Sequence, residues 1–166
     1  MNFQEAIITC FKKYFTFSGR ARRSEYWWFI LFSIIIGILL HVVEEFSIPD
    51  VDGDMYFSIS YVIIFSLVID ILLIPPFFAV AFRRLHDIGK SGWWILLIGI
   101  IPIFIFLIFF TFMTMYAYTK DIMDDSLIMV KIGFIFPVIG WVILIYWLTR
   151  PSAEGENKFG VNPIDA

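Results

Sequence analysis

Charged side chains are missing from long stretches of this chain. The runs Tyr26 to Val43, Met55 to Ile69, Ile71 to Phe82, Trp93 to Thr119 and Ile132 to Thr149 contain no Asp, Glu, Lys or Arg. A helix needs about 20 mostly apolar residues to cross a bilayer, where its backbone N–H and C=O groups find no water and must pair internally. The second and third runs are each too short, but Asp70 alone divides them, so Tyr56 to Phe82 reads as one interrupted span. The pattern predicts an all-α integral membrane bundle of four transmembrane helices in one membrane domain. The spans fall at about 26–46, 56–82, 93–118 and 132–148, and 149–166 form a tail. A soluble reading fails on area. With 60% hydrophobic and 20% aromatic residues, a 166-residue globule has too little interior to hide them.

Ahead of the first span, "MNFQEAIITCFKKYF" offers only six uncharged residues between Glu5 and Lys12 and no small-residue cleavage site, so it does not read as a cleavable signal. Phe3, Ile7, Phe11 and Tyr14 fall near helical spacing with Cys10 beside them. An amphipathic helix is expected, either lying in the membrane interface or packed on the protein's own loops. Cys10 is the single cysteine, which excludes an intrachain disulfide and is too few for a metal cage or an iron–sulfur cluster.

Lys and Arg near span ends accumulate on the cytoplasmic side. Lys12, Lys13, Arg20, Arg22 and Arg23 precede the first span, Arg83, Arg84 and Lys90 separate the second from the third, and Arg150 and Lys158 follow the fourth. The other side has Lys120 and Lys131. This distribution predicts cytoplasmic termini, with "EEFSIPDVDGD" and "KDIMDDSLIMVK" outside. Trp27, Trp28, Trp93, Trp94 and Trp147 fall at the basic ends, where an amphipathic ring favours the interface.

The most polar stretch between spans is "RRLHDIGKSGWW", Arg83 to Trp94. Its "GKS" lacks the glycine five residues before Gly89, where Arg84 stands, and lacks a preceding strand, so a phosphate-binding P-loop is excluded. His86 has no second histidine within reach, since His41 lies toward the opposite face, and no Ser or Cys nucleophile stands near a positioned base. The expectation is a protein without catalytic, metal or cofactor sites and without nucleic acid as a partner. Arg83 and Asp87, four apart, are expected to pair along the last helical turn, Gly89 to break the helix and Ser91 to cap the next.

Three stretches carry a resemblance: "FSGRARRSEYWWF", "RRLHDIGKSGWW" and "GENKFGVNP". They resemble the YhaH/YhaI-like domain-of-unknown-function family of small bacterial inner-membrane proteins, over nearly the whole chain. Gly19, Arg20, Arg23, Glu25 and Trp27 carry over from the first stretch, and Asn157, Phe159, Gly160 and Pro163 from the third. Departures are mild: Tyr26 where Phe is frequent, Lys90 where Arg is frequent and Asn162 where Asp is frequent. The resemblance implies a multi-pass protein of the bacterial inner membrane and assigns no activity.

On the four-span topology all three stretches fall on the cytoplasmic side, so Arg20, Arg23, Glu25, Arg83, Arg84, His86, Asp87 and Asn157 are candidates for one polar cluster. Such a cluster is either a salt-bridge staple for the bundle or a site for an anionic lipid headgroup. Arg84 has no acid four residues on, which marks it as the free cation of an anion site. Asp70 lies mid-span with no Lys or Arg in any span to neutralise it, so it is either a neutral carboxyl hydrogen-bonded across the bundle or an intramembrane functional group. The function expected is binding of membrane lipid or a partner protein at the basic face. The alternative is a small oligomeric transporter or permeability factor using Asp70. The fourth span, about 25 Å long for Ile132 to Leu148, is short for a lone helix and points to packing in a larger assembly such as a homo-oligomer.

Overall fold

A computed structural model of the chain describes residues 1–46, 55–120 and 123–164. Five α-helices follow one another: α1 (Phe3–Lys12), α2 (Arg23–Phe46), α3 (Met55–Asp87), α4 (Ile101–Lys120), entered through a π-helical segment at Ile95–Ile100, and α5 (Met123–Thr149). The last four are long and apolar enough to cross a membrane. Residues 47–54, within the loop expected outside between the first two spans, lie beyond the described residues.

Helix α1 starts in a capping box. The Asn2 side chain accepts the Glu5 N–H at 2.8 Å, and the Glu5 carboxylate accepts the Asn2 N–H at 3.0 Å. It packs on helices rather than loops. Ala6 and Cys10 are fully buried, Phe3 meets Trp28 edge-on, and Phe11 meets Phe29 and Phe32. Ile8 of α1 and Phe15 just beyond it remain exposed.

The spans pair as two hairpins, α2 with α3 and α4 with α5. Side chains that join the hairpins lie at the end where both termini sit. There Phe29, Val80, Ala81 and Leu85 share a buried cluster with Ile95, Leu144 and Leu148. Farther from that end, Ile34, Ile38, Phe65, Leu72, Phe104, Ile108, Phe112 and Phe136 are all exposed.

Prolines leave backbone carbonyls without their helical donor, and the fold deals with two of them differently. Pro76 cannot donate to the Leu72 carbonyl, which instead accepts from the Tyr14 hydroxyl just beyond α1. Pro102 cannot donate to Ile98, and the turn before it widens to the π form, with the Ile101 N–H reaching back to Leu96. The Ile98 carbonyl faces Gly140 of α5 so closely that a β-carbon there would overlap the oxygen. Glycine is the residue that lets the two backbones touch.

Two boundaries differ from expectation. Helix α5 begins at Met123, so most of the expected second outer loop is helix, while the stretch apolar enough to cross a membrane, Val130–Thr149, lies close to the expected span. At 20 residues that stretch is about 30 Å long, enough to cross a bilayer core, so its length does not argue for assembly. Ser91 makes no cap, since the residue at the cap position of the π-helical segment is Trp94 and no side chain bonds there.

Candidate functional site

The end of α3 organises the polar end of the bundle. Its last turn closes in a Schellman motif: Lys90 N–H reaches Leu85 O at 2.9 Å, Gly89 N–H reaches His86 O at 3.0 Å, and Gly89 has φ +75°. That termination leaves Arg83, Arg84 and Asp87 pointing into the protein, each at most 1% exposed.

Asp87 is the hub. One carboxylate oxygen accepts from Arg20 Nε at 2.9 Å, and the other accepts from Arg84 Nη1. Arg83 turns the other way, toward α2, where Nη1 lies 2.8 Å from Glu25 Oε1. That contact is close but poorly aligned for a hydrogen bond, so charge attraction rather than directional bonding holds it. The expected Arg83–Asp87 pair does not form. Spacing of four permits it, but Asp87 is already claimed by two arginines and Arg83 faces the acid on α2.

Three buried arginines face two buried acids, and backbone carbonyls make up the difference. Arg84 donates through Nε to Leu148 O at 3.1 Å and through Nη2 to Arg150 O, at the negative end of the α5 dipole. Arg20 donates to Ala153 O and Gly155 O at 2.6 Å each and to Gly160 O at 3.2 Å, all in the tail. The tail is therefore folded, not free. Ala153 N–H bonds Asp87 O at 3.2 Å, and the Asn157 amide donates to His86 O at 3.0 Å. His86 stacks on Phe159 with ring centres 3.9 Å apart and planes 5° from parallel, while its Nδ1 lies 3.2 Å from Gly19 O.

The structure thus brings together Arg20, Glu25, Arg83, Arg84, His86, Asp87 and Asn157. Arg23 stands outside this cluster, exposed, with a long 3.5 Å contact from Nη1 to Thr149 O. Asp70 is remote from it, exposed on α3, and among the described residues it makes no hydrogen bond across the bundle. Arg84, expected as the free cation, is instead wholly buried and bonded through all three guanidinium nitrogens. Cys10 lies beside the Arg83–Glu25 pair. Burial, with Glu25 nearby, pushes its thiol up to about 12, which keeps it protonated and unreactive. Among the described residues no three His, Cys, Asp or Glu side chains gather closely enough to hold a metal ion.

Around this buried layer runs an exposed rim. A cleft of about 510 Å³ is lined by Arg23, Ser24, Trp27, Trp28, Leu31 and Thr149. Lys90 lies 4.0 Å over the Trp147 ring, and Arg150 lies 5.9 Å from the centre of Tyr146. The sequence argument did not find this cleft, or the carbonyls that Arg20 and Arg84 bind. The tryptophans beside Arg23 were a signal for the cleft. Backbone acceptors carry no residue signature.

Residues 14–161, which hold the first two polar stretches and the third as far as Val161, match the family model described as Protein of unknown function (DUF805). The chain belongs to this family. Two relatives are inner membrane protein YhaH of Escherichia coli K12, 32% identical over 92% of this chain and 90% of its own length, and inner membrane protein YhaI of the same strain, 28% identical over 94% and 92%. No solved structure matches. The DUF805 match includes Tyr14, the Arg20–Asp87–Arg84 hub and most of the tail, so the matched region coincides with the polar end and the four spans.

Proposed function

We propose that the protein resides in a bacterial inner membrane with both termini in the cytoplasm, and that it acts without catalysis by holding the headgroup of an anionic phospholipid at the Arg23 cleft. The observation that carries this reading is an exposed arginine, without an ion pair among the described residues, standing beside two half-exposed tryptophans and an apolar wall. A phosphate accepts from the guanidinium, the indoles lie at headgroup level, and Leu31 leads toward the acyl region.

Surroundings favour the same ligand. Among the described residues Lys12, Lys13, Arg22, Arg23, Lys90, Arg150 and Lys158 lie exposed or half-exposed at the polar end, against the exposed acids Glu5, Glu154 and Glu156. A surface positive by this margin attracts the anionic cytoplasmic leaflet. The arginines of the buried layer take no part, since they are buried and none of them lines the cleft. The orientation rests on the same excess of basic residues over Lys120 and Lys131.

The test compares melting of the purified protein in detergent with added phosphatidylglycerol or phosphatidylcholine. Phosphatidylglycerol should raise the melting temperature of the parent, and Arg23→Gln should lose more than half of that shift while melting normally without lipid. Equal shifts in parent and variant, or equal shifts from both lipids, would overturn the reading. A reporter fused after Ala166 checks the orientation and should report cytoplasm; an external signal reverses it.

A further inference from the structure

One polar group takes no part in the layer or its rim. Asp70 lies in α3 with about 22 Å of helix before it to Met55 and about 18 Å after it to Phe82, each more than half of a hydrocarbon core of about 30 Å. It is therefore held near mid-membrane. Its side chain is exposed, and Leu67, Ile71 and Ile74 beside it on the helix are about half exposed. Among the described residues it has no hydrogen bond or ion pair. A carboxyl bared to lipid tails is strongly disfavoured whether or not it carries a proton. One residue further on, Pro75 withholds the N–H that would have bonded the Ile71 carbonyl, which adds a second acceptor to the same stretch.

We infer that a second copy of this chain covers this side of α3 and that the two Asp70 carboxyls hydrogen-bond each other across a two-fold axis. Copies inserted with the same topology are related by an axis along the membrane normal, so identical residues lie at identical depth. In a second copy the group at the depth of Asp70 is Asp70 itself, since no Lys or Arg lies in any of the four uncharged spans. Two facing carboxyls satisfy each other through an O–H···O hydrogen bond, one donating and the other accepting. The pairing of helices leaves room for the contact. Side chains joining α2 and α3 to the other hairpin lie at the polar end, around Val80, Ala81 and Leu85, and the Asp70 turn is outside that cluster. The interface is independent of the lipid cleft, which lies on α2 and the end of α5.

Cross-linking and association measurements test the inference together. In a Cys10→Ala background, Leu67→Cys and Ile74→Cys, one turn to either side of Asp70, should form disulfide-linked dimers in membranes under mild oxidation, while Ile108→Cys on the exposed side of α4 should not. By native mass spectrometry from mild detergent, Asp70→Asn should keep the dimer, because paired amides hydrogen-bond as paired carboxyls do. Asp70→Leu should weaken association at least about tenfold. Absence of cross-links at both positions overturns the inference, even if Asp70→Leu fails to fold. So does an unchanged dimer in Asp70→Leu, or a cross-linked product whose mass is not twice that of the chain.

Discussion

The polar end and the outer halves of α4 and α5 are held by opposite means. At the polar end, Arg20, Arg84 and Asp87 are locked by two ion pairs and by the carbonyls of Leu148, Arg150, Ala153, Gly155 and Gly160. The outer halves meet through apolar surfaces that leave an open groove of about 590 Å³ between Leu97, Ile101, Phe106, Phe109, Phe136 and Pro137. Lipid tails are as apolar as leucine, so burying Ile or Phe against another helix gains little inside a bilayer. Specific order in such a chain comes from polar groups that find partners only in the folded state and from places where backbones touch. Both lie near the polar end.

The largest expected effect is on the hub. Asp87→Ala leaves Arg20 and Arg84 buried beside each other without a counter-charge and should destabilise the fold by about 3–5 kcal/mol, enough to abolish a cooperative melt in detergent. Ile108→Ala, on an exposed stretch of α4, should change stability by less than about 0.5 kcal/mol. Comparable losses in the two variants would break the contrast between the regions. Arg84→Ala should resemble Asp87→Ala, because its donors serve the hub and the end of α5.

The close approach of α4 and α5 comes next. Gly140→Val places a β-carbon against the Ile98 carbonyl, which is backbone and cannot swing aside, so a cost of about 1–3 kcal/mol is expected in thermal melts. Gly37 of α2 has open space around its Cα, and Gly37→Ala should be neutral or slightly stabilising. Equal behaviour of the two glycine variants would show that α5 does not touch the backbone at Ile98.

A smaller effect marks the border between the regions. Tyr14→Phe removes the donor to the Leu72 carbonyl that Pro76 left without its helical partner, and should cost about 0.5–1.5 kcal/mol. Its signature is faster hydrogen exchange around α1 with little change elsewhere. Unchanged exchange there would mean that the carbonyl is satisfied without Tyr14.

Much of the architecture was legible because a membrane imposes its rules one segment at a time. The uncharged runs mark four spans, Asp70 does not end one, and Phe3, Ile7 and Phe11 announce α1 at helical spacing. Gly89 stops α3 because its positive φ suits a residue without a β-carbon. Pairing was less legible. Arg83 and Asp87 have the spacing of helical partners, yet each bonds a residue that sequence distance hides, Glu25 in one case and Arg20 in the other. The second expected loop was misread because polar residues are compatible with the first turns of a helix as well as with a loop.

The chain by itself determined its medium, its helix count, its basic end and the short list of polar residues gathered there. Each follows from local composition, since hydrocarbon accepts apolar helices and rejects charges wherever they occur. Tertiary structure alone decided who satisfies whom: that Arg84 is spent on Asp87 and the end of α5, that Arg20 ties down the tail, and that Arg23 is left outside. The reason is that the acceptors are largely backbone carbonyls. Every residue carries one, so no sequence pattern distinguishes those left open at a helix end or ahead of a proline from those already bonded, and only the folded chain brings an arginine to them.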